Sequence, residues 1–339
     1  MMKIDFVITW VDSEDENWLL KKREYYEKEK DTYFIRDGIS RFRDWGTFKY
    51  LFRGIDAFAP WVRRVFLITN GNSPKWLNIH HPKIAVVNQN EFIPSKYLPT
   101  FNIHTIEHCL YRINGLSEHF VYFNDDMFIL RNLSPSDFFV KGLPVDTGIL
   151  TVHCYSKKVS SHFCKEADTG VINDHFEFKS TLYHNFFKWF NIKYGTGLLK
   201  NIILFNCPRF PGIEQHHLPT PLLKKTFYEV WDAEKDQLDI TCSHKLRHAT
   251  DLNQWVYRNW QLANGSFIPR SRLLGTNFSV GYDKKDTIEQ YVKQRKRKIV
   301  CVNDVLTDDF DKNDSFEKWK EWLIGCLDEV LPNKCSFEI

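Results

Sequence analysis

The feature that most constrains the fold is an alternation of short apolar runs with amphipathic stretches through residues 1–130. Four apolar runs, rich in β-branched and aromatic residues, predict buried strands. They are residues 4–11, 65–69, 83–87 and 120–123. Between them, the spacing of apolar residues predicts helices over 17–30, 42–58 and 103–113, the second ending before Pro60. Such alternation is typical of an α/β fold with a mostly parallel sheet and helices on both faces.

Polar clusters follow three of the predicted strands. They are residues 9–15, 69–72 and 124–126. In open α/β sheets, ligands bind in the crevice outside the carboxyl ends of the strands. We therefore expect these clusters to meet at one edge of the sheet and to form a binding crevice there.

The pattern weakens after residue 145, where spacing becomes irregular and Gly, Pro and aromatic residues are frequent. This change predicts an insertion or cap. Helical periodicity returns at 252–262 and in a final helix beginning at Asp314, where Glu317 predicts a capping box. The expected parts are an α/β core over 1–145, an insertion or cap over 146–235, and a C-terminal part over 236–339 that completes the same domain.

The composition excludes several classes of protein. The chain has 46 Lys and Arg against 43 Asp and Glu, and this net charge of +3 requires no nucleic-acid partner. No apolar run approaches the ~20 residues of a membrane span, and the first residues do not resemble a signal peptide. We therefore expect a cytoplasmic protein with at most a peripheral contact to the inner face of the cell membrane. The eight cysteines form no Cys-x-x-Cys pair, which favours reduced thiols over a zinc ribbon or a disulfide scaffold.

The adjacent carboxylates of Asp125 and Asp126 are the first candidate for chemistry. Two carboxylates after a buried strand are costly unless something neutralises them. Mg²⁺ and Mn²⁺ prefer oxygen ligands and are often held by one or two carboxylates together with substrate phosphates. A surface turn is the alternative interpretation. A second apolar run, 299–302, ends in Asn303-Asp304 and would bring another carboxylate to the same crevice.

Two further segments carry side chains suited to proton or phosphate chemistry. His216 and His217 precede Pro219 and Pro221, so they lie in a fixed, non-helical segment. One imidazole there would serve as acid, base or phosphate ligand, unless the pair is structural. Arg247, within Lys-Leu-Arg-His, is suited to a bidentate grip on phosphate, unless it belongs to a surface basic cluster.

These segments fall into four blocks that resemble, in order and content, the Stealth family of sugar-phosphate transferases. The long second block is the most specific, and residues 150–205 are the least similar part of the chain. The blocks are residues 4–12, residues 43–128, the pair of segments 217–219 and 245–248, and the segment beginning at 301.

The resemblance implies transfer of a hexose 1-phosphate, in particular an N-acetylhexosamine 1-phosphate, from a UDP-sugar. The acceptor would be a hydroxyl of a growing surface or capsular polysaccharide or of a lipid-linked oligosaccharide. The products would be UMP and a phosphodiester. The resemblance also implies a divalent cation, Mg²⁺ or Mn²⁺, and assigns nucleotide-sugar binding to the core over 1–145. The aromatic-rich part of 146–235 is then the expected acceptor region.

Individual residues take predicted roles from the same resemblance. Glu107, Asp126, His217 and Arg247 match active-site positions of the family. His217 is the first candidate for the base and Asp126 its rival. The residues predicted to bind the nucleotide-sugar are Thr9, Trp10, Asp12, Asn70 and Asn102. The residues predicted to hold the metal are Asp125, Asp126 and Asp304.

Two departures from the family pattern concern substrate contacts. Ser13 follows Asp12 where relatives carry glycine, which changes how closely the backbone can approach the nucleotide. Ile103 stands where relatives commonly carry a small polar residue. Two other functions stay open: a metal-dependent glycosyltransferase that releases UDP, and a non-catalytic nucleotide-binding module.

Overall fold

Three sheets contain the strands of the structure. The computed structural model describes residues 2–30, 43–154, 160–305 and 315–339. In these residues the strands are β1 (Ile4–Thr9), β2 (Val65–Thr69), β3 (Ile84–Asn88), β4 (His119–Phe123), β5 (Met127–Ile129), β6 (Phe139–Val140), β7 (Leu143–Asp146), β8 (Thr220–Leu223), β9 (Ile268–Pro269), β10 (Gly275–Val280) and β11 (Ile299–Asp304).

Helices connect and cover the sheets. They are α1 (Glu16–Lys28), α2 (Phe48–Phe58), α3 (Ile103–Cys109), α4 (Ser160–His175), α5 (Phe178–His184), α6 (Phe186–Trp189), α7 (Gly197–Leu204), α8 (Lys224–Ala233), α9 (Lys235–Ser243), α10 (Trp255–Ala263), α11 (Lys285–Lys293) and α12 (Ser315–Val330). Across the described ranges, no helix combines the length and the apolar character needed to cross a membrane.

The central sheet has the strand order β3-β2-β1-β4-β8. The first four strands run parallel, and β8 pairs with β4 in the antiparallel direction. Phe6 of β1 lies opposite Val65 on one side and Val121 on the other, so the carboxyl ends of the parallel strands reach the same edge. The predicted α/β fold with a mostly parallel sheet is confirmed.

Both faces of the central sheet are covered by helices. Successive side chains of a strand point to opposite faces. Val7 and Phe66 belong to a core that includes residues of α3, α8 and α10, whereas Phe6 and Leu67 belong to a second core that includes residues of α2. Because these strands are apolar on both faces, the sheet is buried in the way that parallel sheets require.

A second sheet brings the C-terminal part of the chain to the edge of the first. Its order is β10-β11-β5, and β5 begins directly after Asp126. Cys301 of β11 lies opposite Met127 of β5, and the backbone amide of Val302 donates to the carbonyl of Asp126 at 3.0 Å. This pairing places Cys301 and Asp304 near the triplet 124–126.

The predicted helix over 42–58 is shorter in the structure, where α2 begins at Phe48. Gly46 has φ +64°, a left-handed conformation that interrupts a helix, so residues 43–47 approach the strand ends as a loop. Phe42, which begins the predicted helix, lies outside the described residues.

Two other helix ends differ from the predicted bounds. The helix predicted over 103–113 ends at Cys109 and continues as a 3₁₀ turn over Leu110–Arg112. Asp314, the predicted capping residue of the final helix, lies outside the described residues.

The segment 146–235 contains α4 to α8 and also one strand of the central sheet. Residues Thr220–Leu223 form β8, in which Pro221 lies opposite Val121 of β4. Proline cannot donate to a strand ladder, and β8 is an edge strand, where that loss is tolerated. The part of the chain predicted to form an insertion or cap therefore also extends the core sheet.

An ion pair between a buried carboxylate and a partly exposed guanidinium joins the start of β1 to the loops beside it. Asp5 is fully buried in β1, and both of its carboxylate oxygens accept hydrogen bonds from the guanidinium of Arg63. The backbone amide of Ser117 donates to the same carboxylate at 2.7 Å, and Arg63 donates to the carbonyl of Gly115 at 2.7 Å. The Asp5–Arg63 pair thus links β1 to the segments that precede β2 and β4.

Replacement of Arg63 by methionine should destabilise the fold strongly, because it leaves the carboxylate of Asp5 buried without its cation. We expect Arg63→Met to lower the free energy of unfolding by about 3 kcal/mol, measured by urea denaturation. Arg64→Met is the matched control, since Arg64 is exposed, and it should change stability little. Equal stability of the two variants would contradict a structural role for the pair.

Candidate active site

A cleft of about 1200 Å³ opens where the parallel strands of the central sheet end. Residues of all three polar clusters that follow strands line it. These residues include Thr9 to Glu14 at and after the end of β1, Asn72 after β2 and Asn124 to Asp126 after β4. Trp10 stacks on Phe48 of α2, with ring centroids 6.2 Å apart. The predicted crevice at the strand ends is therefore present.

Asp126 and His217 form an ion pair in this cleft. Nε2 of His217 lies 3.1 Å from Oδ2 of Asp126 and 3.2 Å from Nδ2 of Asn124. Burial would lower the pKa of His217, but the charge and hydrogen bond of Asp126 raise it above its ordinary value. Burial would likewise raise the pKa of Asp126, but His217 holds it below its ordinary value. A proton taken up by this pair is therefore held by the imidazole of His217 in preference to the carboxylate of Asp126.

A buried guanidinium fixes the segment that leads to His217. Arg258, on α10, donates to both carboxylate oxygens of Asp146, at 2.7 and 3.0 Å, and to the carbonyl of Glu214 at 3.0 Å. The side chains of Arg258 and Asp146 are 2% and 4% exposed. Bidentate pairs of this kind have little freedom to move. The backbone three residues before His217 is therefore anchored to the protein interior.

Asp125 is an exposed residue that lines the cleft. Desolvation, followed by the charge of Asp126, raises the pKa of Asp125 to about 7. Asp44, which also lines the cleft, adds a further negative charge that acts in the same direction. An added positive charge near Asp125 would therefore favour the ionisation of both adjacent carboxylates.

Carboxylate, imidazole and thiol groups lie around Asp126, and they are not equally suited to bind a cation. Asp126, His217 and Cys301 each offer one ligand atom, and these atoms lie within 4.8 Å of one another. However, Cys301 donates to Asp126 at 3.3 Å, and burial raises the pKa of its thiol well above the ordinary value. A metal would require the thiolate. Oδ1 of Asp126 is buried without a hydrogen-bond partner among the described residues, so the carboxylates of Asp125 and Asp126 are the better donors.

Glu107 connects two sides of the cleft through hydrogen bonds. It accepts from the hydroxyl of Tyr122 at 3.1 Å and from the backbone amide of Gln254 at 3.3 Å. The Tyr122 hydroxyl also lies 3.1 Å from Oγ1 of Thr9. Burial raises the pKa of Glu107, although the charges of His104 and Arg247 lower it in part. Thr9 is thus linked by one tyrosine to a buried carboxylate.

Asp251 organises the loop between α9 and α10. It is fully buried, and its carboxylate accepts from Nδ2 of Asn102 at 2.8 Å and from the backbone amide of His248 at 2.9 Å. Nδ1 of His244 and Nδ1 of His104 lie 2.7 and 3.2 Å from the same carboxylate. Burial would raise the pKa of Asp251, but the hydrogen bonds from these two histidines hold it well below its ordinary value.

Two residues with predicted roles, Arg247 and Asn102, lie next to the hydrogen bonds of Asp251. Arg247 belongs to the loop that Asp251 organises, and it lines the cleft. Asn102 is fully buried and is not among the cleft-lining residues. Its Oδ1 accepts from the backbone amide of His104 at 3.1 Å and so caps α3, while its amide nitrogen bonds to Asp251. Asn102 therefore caps α3 and is linked through Asp251 to the loop that carries Arg247.

A second buried carboxylate supports the same part of the cleft. Asp168 of α4 is fully buried and accepts from the backbone amide of Asn253 at 3.1 Å, next to the amide of Gln254 that Glu107 binds. Burial raises the pKa of Asp168 well above its ordinary value. Two carboxylates from α3 and α4 thus hold consecutive backbone amides, and this fixes the turn before α10.

Asp304 lines the cleft but is already bound by neighbouring side chains. Nε1 of Trp45 donates to it at 3.1 Å, and Arg43 lies 3.9 Å away. Its carboxylate is 6% exposed. The loop 43–47, which was predicted to be helical, supplies both partners.

The predicted nucleotide-binding residues lie mostly along the end of β1. Thr9, Trp10 and Asp12 line the cleft. Asp12 accepts from the backbone amide of Glu14 at 3.0 Å and lies 3.4 Å from Nδ2 of Asn72. Asn70 is not a cleft-lining residue, and its side-chain amide has no hydrogen-bond partner among the described residues.

Some residues of the site were not predicted. The side chains of Tyr122, Cys301, Asp168 and Asp251 are examples. Tyr122 had a local signal, because its hydroxyl is the one polar side-chain group in the apolar run 120–123, which ends just before Asn124. The other three depend on contacts between segments far apart in sequence, and no local pattern marks them.

Replacement of Asp251 should cost stability in a pH-dependent way. A carboxylate whose pKa is lowered by folding stabilises the protein above its unfolded pKa of about 3.9, and this contribution is lost as the pH falls. We expect Asp251→Asn to lower the free energy of unfolding by about 2 to 3 kcal/mol near neutral pH, with the difference from the wild type shrinking below about pH 4. Asp232→Asn, on the exposed side of α8, is the matched control for urea denaturation. A difference independent of pH would contradict the assignment.

Comparison with solved structures gives only distant similarity. The structure of the galactosyltransferase LgtC in complex with donor and acceptor sugar analogs aligns with a TM-score of 0.39 and 10% identity, covering 95% of each chain. Mouse xyloside xylosyltransferase 1 aligns with a TM-score of 0.38 and 9% identity, covering 89% of this chain and 98% of that one.

Comparison of sequences is much more specific. Residues 41–145 match the family model described as Stealth protein CR2, conserved region 2. The capsular polysaccharide phosphotransferase WcwK of Streptococcus pneumoniae is 39% identical over 338 residues, covering 100% of this chain and 98% of the relative. The receptor polysaccharide phosphotransferase WefC of Streptococcus gordonii is 37% identical, covering 99% of each chain. The exopolysaccharide phosphotransferase cps2G of Lactiplantibacillus plantarum is 35% identical, covering 99% of this chain and 96% of the relative. The chain therefore belongs to the Stealth family and is an enzyme of the sugar-phosphate transferase class.

Proposed function

We propose that this enzyme transfers a hexose 1-phosphate, in particular an N-acetylhexosamine 1-phosphate, from a UDP-sugar to a hydroxyl of a growing surface or capsular polysaccharide. The observation that carries the proposal is the Asp126–His217 pair, which lies in a cleft that Asp125, Glu107 and Arg247 also line. The polysaccharide phosphotransferases among its relatives support the same class of acceptor. UMP is the proposed second product.

The proposed reaction breaks the pyrophosphate link of the donor. The acceptor oxygen attacks the β-phosphorus in line and forms a new P–O bond. The bond from the β-phosphorus to the oxygen shared with the α-phosphorus breaks, and UMP leaves with the electron pair. The C1–O bond of the sugar is untouched, so the anomeric configuration is kept. Such a transfer depends on positioning the partners and on stabilising charge at the phosphate oxygens.

We propose that His217 accepts the proton of the acceptor hydroxyl, with Asp126 as the rival base. The pKa of His217 is raised and that of Asp126 is lowered, so the imidazole is the stronger base of the two. Its neutral form accepts the proton from the hydroxyl, and Asp126 then stabilises the imidazolium. The short distance between them, 3.1 Å, suits this division of roles.

Arg247 and Glu107 have supporting roles in the proposal. Arg247 provides a guanidinium that binds phosphate oxygens of the donor. Glu107 keeps Tyr122 and the backbone of Gln254 in place, and its own contacts leave it little freedom to act as a base. Glu107 is therefore a positioning residue for the cleft.

The carboxylates of Asp125 and Asp126 would hold Mg²⁺ or Mn²⁺, with Asp304 as a third candidate ligand. The raised pKa of Asp125 and the unpartnered Oδ1 of Asp126 support this placement. Oxygen donors favour these hard cations, and the protonated thiol of Cys301 argues against a zinc site. When bound, the cation would neutralise phosphate charge. Asp304 is the weaker candidate, because Trp45 already donates to it.

The donor and acceptor are proposed to enter from different parts of the cleft. The nucleotide lies along Thr9, Trp10 and Asp12, whereas Asn70 and Asn102 do not line the cleft. From the segment 146–235, which we expected to contain the acceptor region, Cys164, His217, Leu218 and Thr220 line the cleft. The cytoplasm, where UDP-sugars are made, is the proposed location.

Product analysis tests the proposal against a glycosyltransferase reaction on the same donor. With UDP-N-acetylhexosamine, a polysaccharide acceptor and Mg²⁺ or Mn²⁺, we expect UMP and a product that contains phosphorus. Chelation with EDTA should abolish the reaction, and added cation should restore it. Release of UDP would support the glycosyltransferase, and absence of donor turnover across a broad acceptor panel would support a non-catalytic module.

Substitutions test the roles of the ion pair. Asp126→Asn and His217→Ala should each lower kcat by at least ~10²-fold, because the pair positions and accepts the proton. His80→Ala and Asp232→Asn are matched controls at exposed positions and should keep wild-type rates. Melting temperatures of all four variants separate loss of activity from loss of fold. Near-normal turnover in both cleft variants would refute the assignment.

A further inference from the structure

A group of large apolar side chains is exposed on the short helices α5, α6 and α7 and on the turn before α7. Seven such side chains lie between residues 183 and 203, and Phe187 and Ile192 are 83% and 86% exposed. Large exposed apolar surfaces usually mark an interaction site. We name this group the apolar surface; its members are Tyr183, Phe186, Phe187, Ile192, Leu199, Ile202 and Ile203.

Helix α7 is inverted relative to an ordinary surface helix. Its fully buried residues are Gly197 and Asn201, Leu198 and Leu204 are half-buried, and Leu199, Ile202 and Ile203 are exposed. A surface helix in water normally presents the opposite pattern, with its apolar face toward the core. An apolar outer face of this kind is typical of a surface that contacts an apolar partner.

Buried polar contacts hold this inverted arrangement in place. The side-chain amide of Asn201 donates to the carbonyls of Gly148 and Trp189, at 2.7 and 2.5 Å, and its oxygen accepts from the amide of Leu150 at 2.7 Å. The hydroxyl of Tyr194 donates to the carbonyl of Lys188 at 2.5 Å. Trp189 and Tyr194 are themselves buried. The exposed apolar side chains therefore project from a well-anchored framework.

Aromatic contacts connect the helices beneath the apolar surface. Phe186 stacks on Phe190 with centroids 4.7 Å apart, and Phe190 contacts Phe205, at the end of α7, at 5.7 Å. Lys179 of α5 lies 4.0 Å above the ring of Phe205. Helices α5, α6 and α7 thus form one continuous platform.

The Asp, Glu, Lys and Arg residues of the segment 178–213 are all of one sign, because only Lys and Arg occur there. The chain has 43 acidic residues, yet residues 178–213 contain none, while five Lys and Arg residues lie there. Lys193 is exposed and donates to a backbone carbonyl, that of Pro269, at 3.2 Å, which leaves its positive charge in place. Lys200 reaches Glu214, which lies just beyond the segment, at 3.5 Å. Glu177 and Glu214 flank this segment, so the excess of positive charge belongs to residues 178–213 themselves, which carry the apolar surface.

We infer that the apolar surface docks this enzyme onto an anionic lipid bilayer as a peripheral contact. Exposed aromatic and aliphatic side chains would enter the headgroup boundary, while the lysines beside them would contact anionic headgroups. A second copy of the chain is a poorer partner, since a symmetric contact places the same patch on both subunits and brings cations against cations. A bilayer offers the apolar medium and the negative charge together.

The contact leaves the active site accessible. None of the residues 165–216 is among those that line the cleft. Docking through the apolar surface would hold the open cleft close to acceptors that are anchored in the membrane. The inference does not depend on the proposed donor or products, because binding to vesicles is measured without substrate.

Vesicle co-sedimentation tests the inference with the full-length protein. Wild-type protein should bind vesicles of phosphatidylglycerol and phosphatidylcholine, with weaker binding to phosphatidylcholine alone and at high salt. The triple variant Phe187→Ser, Ile192→Ser, Ile203→Ser should bind at least tenfold more weakly, and Lys193→Ala about fivefold more weakly. These side chains are exposed, so melting temperatures should stay near that of the wild type.

Matched controls lie on another part of the surface. The double variant Leu273→Ser, Tyr282→Ser removes side chains that are 62% and 82% exposed, and Lys284→Ala removes an exposed cation. These variants should bind vesicles as the wild type does.

Undiminished binding by the triple variant, or no binding by the wild type, would overturn the inference. A concentration-dependent dimer that the triple variant abolishes, without vesicle binding, would also overturn it and would identify a second copy as the partner. If the triple variant loses vesicle binding but still turns over a soluble acceptor at the normal rate, then membrane docking and the proposed chemistry are separate properties of the protein.

Discussion

The contact between Asp126 and His217 depends directly on the pairing of two strands. Strand β4 ends at Phe123 and β8 begins at Thr220, and Tyr122 lies opposite Thr220 in the antiparallel register. Asp126 follows β4 by three residues, and His217 precedes β8 by three residues. The register therefore brings a carboxylate and an imidazole together at the edge of the sheet. The adjacent carboxylates of Asp125 and Asp126 repel each other, so their ionised forms are stable in the cleft only beside positively charged groups.

Buried carboxylates away from this pair keep the rest of the cleft in place. Glu107 and Asp168 bind the backbone amides of Gln254 and Asn253, and Asp251 holds the loop that carries Arg247. Glu107 and Asp251 each accept from several donors, whereas Asp168 accepts from the amide of Asn253 through Oδ1 and its Oδ2 has no partner among the described residues. Breaking such buried hydrogen bonds is costly, so they hold the loops around the cleft in place. The positions suited to phosphate and proton chemistry are thus supported by groups that need not touch the substrate.

Much of the fold was predictable because its signals are local. Apolar runs and helical spacing located four strands of the central sheet, and the polar clusters after them located the cleft. Strand β8 was missed, since it has only four residues and contains Pro221, and its place depends on pairing with β4. The partners of Asp126 also come from distant segments, which the resemblance indicated for His217 but not for Cys301. The aromatic residues of 146–235 differ in their surroundings, since Trp189 is buried and Phe187 is exposed but does not line the cleft. The acceptor region in this segment stays a prediction.

The central claim is that the enzyme moves phosphorus with the sugar. It is tested most directly with a UDP-sugar whose β-phosphorus carries a radioactive label, incubated with enzyme, cation and acceptor. The account predicts that the label appears in the polymeric product, in a linkage that phosphodiester-cleaving conditions release, while the nucleotide product is unlabelled UMP. Label retained in UDP, with unlabelled sugar on the acceptor, would contradict it.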